Sequence, residues 1–324
     1  IRLEDLDLPE WYLRDFRGPG FGVGGVRAML DVRDRPITAT VPKPKVGHTA
    51  EEYAEVAYLS WIGGIDLVKD DENLTDQGIA RFEERLKMVM RARERAEKET
   101  GERKSYLVNI TGETEGMRKR ARLVSEYGNE YVMIDILTCG WSAFQTMREE
   151  TEELGLAIHA HRAMHAAFTR DPRHGISMFV LAKLMRTIGM DQLHVGTAGA
   201  GKLEGGRWDV IQNAKILRDE CYAPGEDDLF HLEQRFYHIK PAFPVSSGGL
   251  HPGNLPAVID ALGTEIVLQL GGGTLGHPDG PRAGATAVRQ ALDAIQEGVP
   301  LKEYAKSHRE LSRALEKWGE VTPI

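Results

Sequence analysis

Short apolar, β-branched runs alternate with longer amphipathic stretches along almost the whole chain. Such runs predict buried strands, and apolar positions recurring every three to four residues predict helices. Eight predicted strands cover residues 37–41, 65–69, 106–110, 131–135, 157–161, 192–195, 242–246 and 266–270. The predicted helices cover residues 50–60, 79–98, 115–126, 142–154, 176–187, 210–219, 252–262 and 283–296.

This eightfold alternation of strand and helix predicts an α/β fold, and in particular a (β/α)8 TIM barrel. A doubly wound open sheet fits the same alternation. We expect the barrel to occupy residues 31–324. Residues 1–30 are acidic, aromatic and rich in Gly and Pro, and they predict a linker or clasp that leads into the barrel.

Composition narrows the class of protein. The 324 residues carry a net charge of −8, with 41% hydrophobic and 28% charged residues, which is typical of a globular protein and excludes wholesale disorder. The acidic balance argues against nucleic acid or an anionic membrane as the main partner. No apolar run approaches the roughly 20 residues of a membrane helix. Cys139 and Cys221 cannot form a disulfide framework, so we expect a cytoplasmic protein.

Polar or glycine-rich residues follow six of the eight predicted strands. In a barrel, the reactive groups gather at the carboxyl ends of the strands, so this end is expected to face a ligand. The residues concerned are Lys43 and Lys45, the run 69–72, His159 to His165, His194 with the loop to Lys202, the run 246–249 and the glycines 271–273.

The run Lys69-Asp70-Asp71-Glu72 offers carboxylates next to a lysine. Strand alternation places Lys69 and Asp71 on the same face, with Glu72 just beyond. Two carboxylates suit Mg²⁺, which takes oxygen ligands. An ammonium group repels a cation, but a lysine that reacts with CO₂ becomes a carbamate and supplies a third oxygen ligand. An ordinary ion pair at a strand end is the alternative.

Two lysines, Lys43 and Lys45, lie on one face and each follows a proline. Crowded ammonium groups lower each other's pKa, as a lysine base requires near neutral pH. A rigid basic strand end that binds any anion is the alternative.

The histidine-rich run 159–165 admits three interpretations. Zinc would need a closed set of Cys and His ligands, whereas Arg162 in its middle favours a phosphate or sugar oxygen. Satisfied polar residues without a ligand are the third.

The run from Gly196 to Lys202 nearly matches a nucleotide P-loop, but Leu203 stands where the motif requires Ser or Thr. A glycine-hinged lid that delivers Lys202 to the site explains the run better. The glycine loops 247–249 and 271–273 follow the last two strands, where barrels often bind phosphate.

Six segments in order closely resemble the large subunit of ribulose-1,5-bisphosphate carboxylase/oxygenase (Rubisco). They are TVPKPKVG, GGIDLVKDDEN, HAHRAMHAAF, HVGTAGAGKLEG, PVSSGGLHPGNLP and LQLGGGTLGHPDG. The resemblance spans nearly the whole chain, and the PKPKVG form, the GTAGAGK lid and the WGEVTPI ending are similar to the archaeal (form III) branch.

The resemblance implies carboxylation, and competing oxygenation, of ribulose 1,5-bisphosphate to 3-phosphoglycerate. It implies that CO₂ carbamylates Lys69, which binds Mg²⁺ together with Asp71 and Glu72. It also implies that Lys43 abstracts the C3 proton and that Lys45 contacts the substrate.

The remaining roles that the resemblance implies concern the substrate. His161 handles protons near C3, and Lys202 on the lid stabilises the carboxylate that forms when CO₂ adds. The substrate contacts are Arg162 and His194 at one phosphate, Gly249, Gly271 and Gly272 at the other, and Ser247.

The chain departs from the family pattern in two ways. Its lid has one residue more between His194 and Lys202 than the plant-type pattern, as expected in the archaeal branch. The chain also begins at the segment IRLEDLDLPEWY, so we expect the family's N-terminal α+β domain, which completes the partner's active site, to be absent.

The resemblance further implies a homo-oligomer built from dimers and a role in salvaging ribose from nucleotides. A Rubisco-like enolase or isomerase of another phosphosugar is one alternative, although such relatives lose some of the lysines 43, 45, 69 and 202, which are all present here. A non-catalytic barrel that binds sugar bisphosphates is the other.

Overall fold

Eight parallel strands close into a barrel in the computed structural model, which describes residues 1–201 and 206–320. Each strand pairs with the next along the chain, and the last pairs with the first through Val267 and Ile37. The TIM barrel expected from the alternation of strands and helices is therefore confirmed. The strands are β1 (Ile37–Thr40), β2 (Leu67–Lys69), β3 (Ser105–Asn109), β4 (Tyr131–Asp135), β5 (Ala157–His161), β6 (Gln192–His194), β7 (Phe243–Ser247) and β8 (Val267–Gln269).

Helices surround the barrel. Those that follow the strands or extend them are Ala50–Ile62, Phe82–Thr100, Thr114–Glu126, Ile136–Cys139, Trp141–Leu154, Ala166–Thr169, Met178–Ile188, Arg207–Arg218, Leu255–Leu262, Gly272–Leu275 and Pro281–Gln296. A 3₁₀ turn (Pro252–Asn254) precedes one of them, and the chain continues with Leu301–Tyr304 and Arg309–Trp318. Outside the barrel, Arg2–Leu3 pairs with Gly175–Ile176, and Cys221–Tyr222 pairs with Gln234–Arg235.

Residues 1–30, expected to be a linker or clasp, contain the helices Glu10–Leu13 and Gly22–Leu30. The second helix packs Val23, Val26 and Leu30 against inward-facing side chains at the amino ends of the strands. Asp191 anchors its start, because one carboxylate oxygen accepts from the backbone N–H groups of Phe21 and Gly22 at 2.7 and 2.8 Å. This helix closes the bottom of the barrel.

Inward-facing side chains change character along the barrel axis. At the amino end they form an apolar cluster that includes Leu67, Leu107, Met133 and Val245. Toward the carboxyl ends of the strands, the inward-facing side chains are polar: Lys69, Asn109, Asp135, His159, His161, Gln192, His194 and Ser247. The outward-facing side chains pack against the helices in a second, larger core. The packed lower half supports a polar upper half, and any chemistry belongs to the upper half.

Candidate active site at the carboxyl ends of the strands

Lys69, the last residue of β2, is buried inside the polar end of the barrel. Its ammonium group donates to the backbone carbonyl of Asp70 at 2.7 Å. Burial lowers its pKa, although the negative charges of Glu72, Asp135 and Asp71 oppose that shift. A buried amine with a lowered pKa is more nucleophilic near neutral pH than a surface lysine.

Asp71 and Glu72 hold two lysines at the mouth of the barrel. Lys43 Nζ donates to Asp71 Oδ2 at 3.0 Å, and Lys45 Nζ donates to Glu72 Oε1 at 3.0 Å. Burial alone would raise the pKa of Glu72, but His161, Lys69 and Lys45 lower it to about 2. Both carboxylates therefore already attract positively charged groups, the two lysine ammonium groups, to the space that they face.

Asp70 has a different role from its two neighbours. Its carboxylate is buried and accepts from Arg85 Nη2 at 3.1 Å, from the Tyr106 hydroxyl at 2.5 Å and from the Asn109 backbone N–H at 2.9 Å. These bonds fix the end of β2 to β3. Asp70 therefore stabilises the fold. Of the three carboxylates in this run, only those of Asp71 and Glu72 face the site.

His161, at the end of β5, is oriented by a residue that the sequence did not single out. Its Nδ1 lies 2.7 Å from Asp135 Oδ1 at the end of β4, and its Nε2 lies 3.7 Å from Glu72 Oε2. Burial lowers the pKa of His161, and the charge of Lys69 adds to that effect. The geometry is that of an imidazole with one nitrogen anchored and the other facing the carboxylates.

His159, His194 and Ser247 form part of a buried hydrogen-bonded row. His159 Nε2 lies 2.9 Å from His194 Nε2, and His194 Nδ1 lies 2.7 Å from Ser247 Oγ. Gln192 Oε1 lies 2.8 Å from the other nitrogen of His159. The predicted zinc alternative has no support here, because the residues 1–201 and 206–320 contain no group of three or more His, Cys, Asp or Glu placed to hold a metal.

Arg162 lies directly after β5 and is buried, and burial lowers the pKa of its guanidinium to about 10. Within the described residues, no hydrogen bond or ion pair engages this guanidinium. It lines a cavity of about 580 Å³ together with His165, Arg2 and Asn213. Unused N–H groups on a buried arginine suit an anionic ligand.

Glycines follow β7 and β8, as the sequence predicts for a phosphate site. Gly249 has a φ of 76°, a conformation that favours glycine. A side chain at Gly271 would lie 3.3 Å from Lys43 Cε, so this glycine leaves room for the lysine stem. Gly272 is different, since a Cβ there would meet no atom within 4 Å.

The loop after β6 lies over the glycine loop that follows β7. A Cβ at Gly201 would approach the backbone oxygen of Gly248 to 2.1 Å. Gly201 N donates to Thr197 Oγ1 at 3.0 Å, which closes a tight turn. Lys202, the predicted lid lysine, lies outside the described residues.

The structure therefore brings Lys43, Lys45, Lys69, Asp71, Glu72 and His161 to one mouth of the barrel. Sequence reasoning missed Asp135, Asn109 and Gln192. Their signal was available, because each faces inward in the polar half of its strand.

The donor set fits Mg²⁺. Asp71 and Glu72 supply carboxylate oxygens in a space that already holds ammonium groups, and Mg²⁺ is commonly bound by one or two protein carboxylates with its other positions left open. No helix of the described residues is both long and apolar enough to cross a membrane.

Comparison with known proteins identifies relatives of this chain. Residues 22–318 match the family model described as the ribulose bisphosphate carboxylase large chain, catalytic domain. Over 324 residues the chain is 62% identical to the ribulose bisphosphate carboxylase of Thermococcus onnurineus and 61% identical to that of Thermococcus kodakarensis. It spans 73% of the length of each.

Solved structures show the same similarity. An archaeal Rubisco superposes with a TM-score of 0.96 at 60% identity, covering 99% of this chain and 74% of that one. A dimeric archaeal Rubisco from Hyperthermus butylicus superposes with a TM-score of 0.95 at 58% identity, with the same shares covered. An octameric Rubisco from Pyrococcus horikoshii gives a TM-score of 0.90 at 56% identity, covering 98% of this chain and 71% of that one.

Proposed function

The chain belongs to the ribulose bisphosphate carboxylase large-chain family, and from this membership we propose how its own residues perform the family's reaction. The protein is a lyase that fixes CO₂ by carboxylating ribulose 1,5-bisphosphate. The observation that carries the assignment is 62% identity over the whole chain to a protein of that name, together with a mouth of the barrel built from lysines and carboxylates.

The proposed metal ligands are Asp71, Glu72 and a Lys69 carbamylated by CO₂. Mg²⁺ bound there would supply Lewis-acid polarisation of the substrate's oxygens. Burial of Lys69 and its lowered pKa support the carbamate, since only the neutral amine attacks CO₂. In that step the amine nitrogen forms a bond to the CO₂ carbon, one proton leaves the nitrogen, and the lysine side chain becomes an anion.

Lys43 is the proposed base that removes the C3 proton. Its position supports this role, because it lies between Asp71 and Gly271 and so reaches both the proposed metal ligands and a proposed phosphate loop. His161, anchored by Asp135, is proposed to handle protons at the same carbon. Lys45 is proposed to contact the substrate beside them.

Two phosphate sites hold the substrate at both ends. Arg162 and His194 are assigned to one, and the buried guanidinium of Arg162, which no other described residue engages, supports this assignment. The backbone N–H groups at Gly249, Gly271 and Gly272 are assigned to the other, and Ser247 is assigned to the substrate between them. Binding energy at the two ends orients the reacting carbon over Lys43.

Lys202 is assigned to the carboxylate that forms when CO₂ adds. It follows a glycine-rich loop that lies against Gly248, and this position supports a lid that excludes water from the reactive intermediate. Oxygenation of the same intermediate by O₂ is part of the proposal.

The wider setting rests on the similarity to archaeal relatives. We propose that residues 1–30 connect and seal a catalytic barrel of residues 31–324, that the protein assembles from dimers as the dimeric and octameric neighbours do, and that it acts in nucleotide and ribose salvage. Two free thiols, Cys139 and Cys221, support a cytoplasmic location.

Fixation of labelled CO₂ tests the proposal. The purified protein with ribulose 1,5-bisphosphate, bicarbonate and Mg²⁺ is expected to form labelled 3-phosphoglycerate. An enolase or isomerase acting on another phosphosugar would exchange the proton next to the carbonyl without incorporating label, and a non-catalytic barrel would do neither.

A further inference from the structure

A continuous row of hydrogen bonds runs inside the barrel from Tyr131, at the start of β4, to Ser247, at the end of β7. Gln192 Nε2 donates to the Tyr131 hydroxyl at 3.1 Å, and Gln192 Oε1 lies 2.8 Å from His159 Nδ1. The row continues from His159 Nε2 to His194 Nε2 at 2.9 Å and from His194 Nδ1 to Ser247 Oγ at 2.7 Å. We call this row the Tyr131–Ser247 chain.

The members of the chain other than Ser247 are buried. Tyr131, Gln192 and His159 are fully buried, and only 3% of His194 is exposed. Burial lowers the pKa of both imidazoles well below the usual value, and neighbouring positive charges act in the same direction. Each ring is therefore neutral near pH 7 and carries a single N–H.

The amide of Gln192 fixes which nitrogen carries each hydrogen. Its nitrogen donates to Tyr131, so its oxygen faces His159, and an amide oxygen only accepts. His159 therefore carries its hydrogen on Nδ1 and accepts at Nε2. The facing Nε2 of His194 must then be the donor, and His194 Nδ1 accepts the hydrogen of the Ser247 hydroxyl.

We infer that Gln192 is a positioning residue, which sets the tautomers of His159 and His194 and thereby leaves the Ser247 oxygen to accept a hydrogen bond from a substrate hydroxyl. The inference deepens the proposed function, on which the identity of the substrate rests. A bare oxyanion at the same place would face the lone pairs of Ser247 and be repelled.

The tautomers can be measured without substrate, metal or activity. In protein labelled with ¹⁵N-histidine, long-range ¹H–¹⁵N spectra distinguish a hydrogen on Nδ1 from one on Nε2, and His159→Asn and His194→Asn variants assign the signals. We expect the hydrogen on Nδ1 of His159 and on Nε2 of His194. The opposite pair of tautomers would overturn the inference.

Variants test whether Gln192 sets this state. Q192L should convert the single tautomer of each ring into a mixture, whereas Q212L should change neither. Gln212 is the matched control, since it is another buried glutamine bonded to a tyrosine, 2.9 Å from the Tyr222 hydroxyl, and lies outside the chain. Unchanged tautomers in Q192L would overturn the inference.

If Q192L does not fold, Y131F decides the matter. This variant keeps Gln192 but removes the hydroxyl that accepts a hydrogen bond from its amide nitrogen, so mixed tautomers are expected. Unchanged tautomers in Y131F would overturn the inference in that case.

Kinetics give a second readout that a purely structural role would not reproduce. Q192L is expected to raise KM for ribulose 1,5-bisphosphate by roughly tenfold, with a smaller change in kcat, and to add less than about twofold in an S247A background. Fully additive effects would overturn the inference. A wild-type protein with the expected tautomers but no carboxylation would instead contradict the proposed function alone.

Discussion

Lys43 and Asp71 lie 3.0 Å apart, ammonium to carboxylate, although 28 residues separate them in the chain. Lys43 follows β1 and Asp71 follows β2, and these two strands are neighbours in the barrel. The proposed base and a proposed metal ligand therefore form an ion pair. A cation bound at Asp71 would compete with Lys43 for that carboxylate and release the amine toward the substrate.

Lys69→Ala is expected to abolish CO₂-dependent Mg²⁺ binding, because the proposed carbamate can no longer form at this position. Calorimetry of Mg²⁺ binding with and without bicarbonate measures this, and circular dichroism checks the fold. Lys104→Met is the matched control, since Lys104 is also buried but lies before β3, at the other end of the barrel. Unchanged Mg²⁺ affinity in the Lys69 variant would refute the carbamate assignment.

Asp135→Asn is expected to lower kcat by at least roughly tenfold while leaving KM for ribulose 1,5-bisphosphate within about twofold. The amide no longer holds the hydrogen of His161 on Nδ1, and loss of an orienting aspartate beside a catalytic histidine can cost far more than this. Steady-state carboxylation kinetics provide the measurement. His161→Asn should lose as much, and the double variant should lose no more; an additive double loss would show that Asp135 acts elsewhere.

Gly272→Ala is expected to weaken substrate binding without destabilising the fold. The added Cβ meets no protein atom within 4 Å, but it would occupy space beside the backbone N–H groups assigned to a phosphate. Thermal melting and KM for ribulose 1,5-bisphosphate separate the two effects. Gly24→Ala is the control, because its Cβ also meets nothing, in the helix at the closed end of the barrel. Equal KM values in both variants would remove Gly272 from the phosphate site.

Low pH is expected to destabilise the protein by protonating Asp66, which lies before β2, away from the proposed active site. Burial alone would raise the pKa of Asp66, but the paired hydrogen bonds and charge of Arg35, at 2.6 and 2.7 Å, lower it below its usual value. A lowered folded-state pKa means that this stabilisation is complete above the unfolded pKa, near 3.8, and is lost as pH falls through the folded value.

Asp66→Asn tests this pH dependence. Urea unfolding at pH 7 should show a loss of about 3 kcal/mol, and the difference from wild type should shrink below about pH 4 as the wild-type carboxylate is protonated. A difference that stays constant with pH would show that the ion pair is not its source.

Prediction from sequence succeeded where one pattern dominated. β4 and β5 match their predicted bounds to the residue, and in both strands the inward-facing last residue, Asp135 or His161, is polar. The predicted helix 79–98 begins instead at Phe82, because Asp76 accepts the Phe82 backbone N–H and residues 75–81 form a loop. The helix Gly22–Leu30 was not predicted, since its glycines disfavour helix and the contacts that stabilise it, packing under the barrel and hydrogen bonds to Asp191, come from distant parts of the chain.

The site was predictable to the extent that its chemistry is local in sequence. Lys69, Asp71 and Glu72 occur in one run, and the barrel fold alone places them at the mouth. Asp135 and Gln192 act through contacts with His161 and His159 on neighbouring strands, so the inward-facing position of each on its own strand is the one local signal for them. The ion pair between Asp70 and Arg85 is likewise a contact between different elements. It gives Asp70 a structural role that Asp71 and Glu72 do not share.

Labelled CO₂ provides the most direct test of the central claim that this barrel carboxylates ribulose 1,5-bisphosphate. The purified protein, incubated with bicarbonate and Mg²⁺ before substrate is added, is predicted to form labelled 3-phosphoglycerate, and Lys69→Ala to form none. The absence of labelled product from the folded wild-type protein, in an assay in which the Thermococcus kodakarensis relative forms it, would contradict the claim.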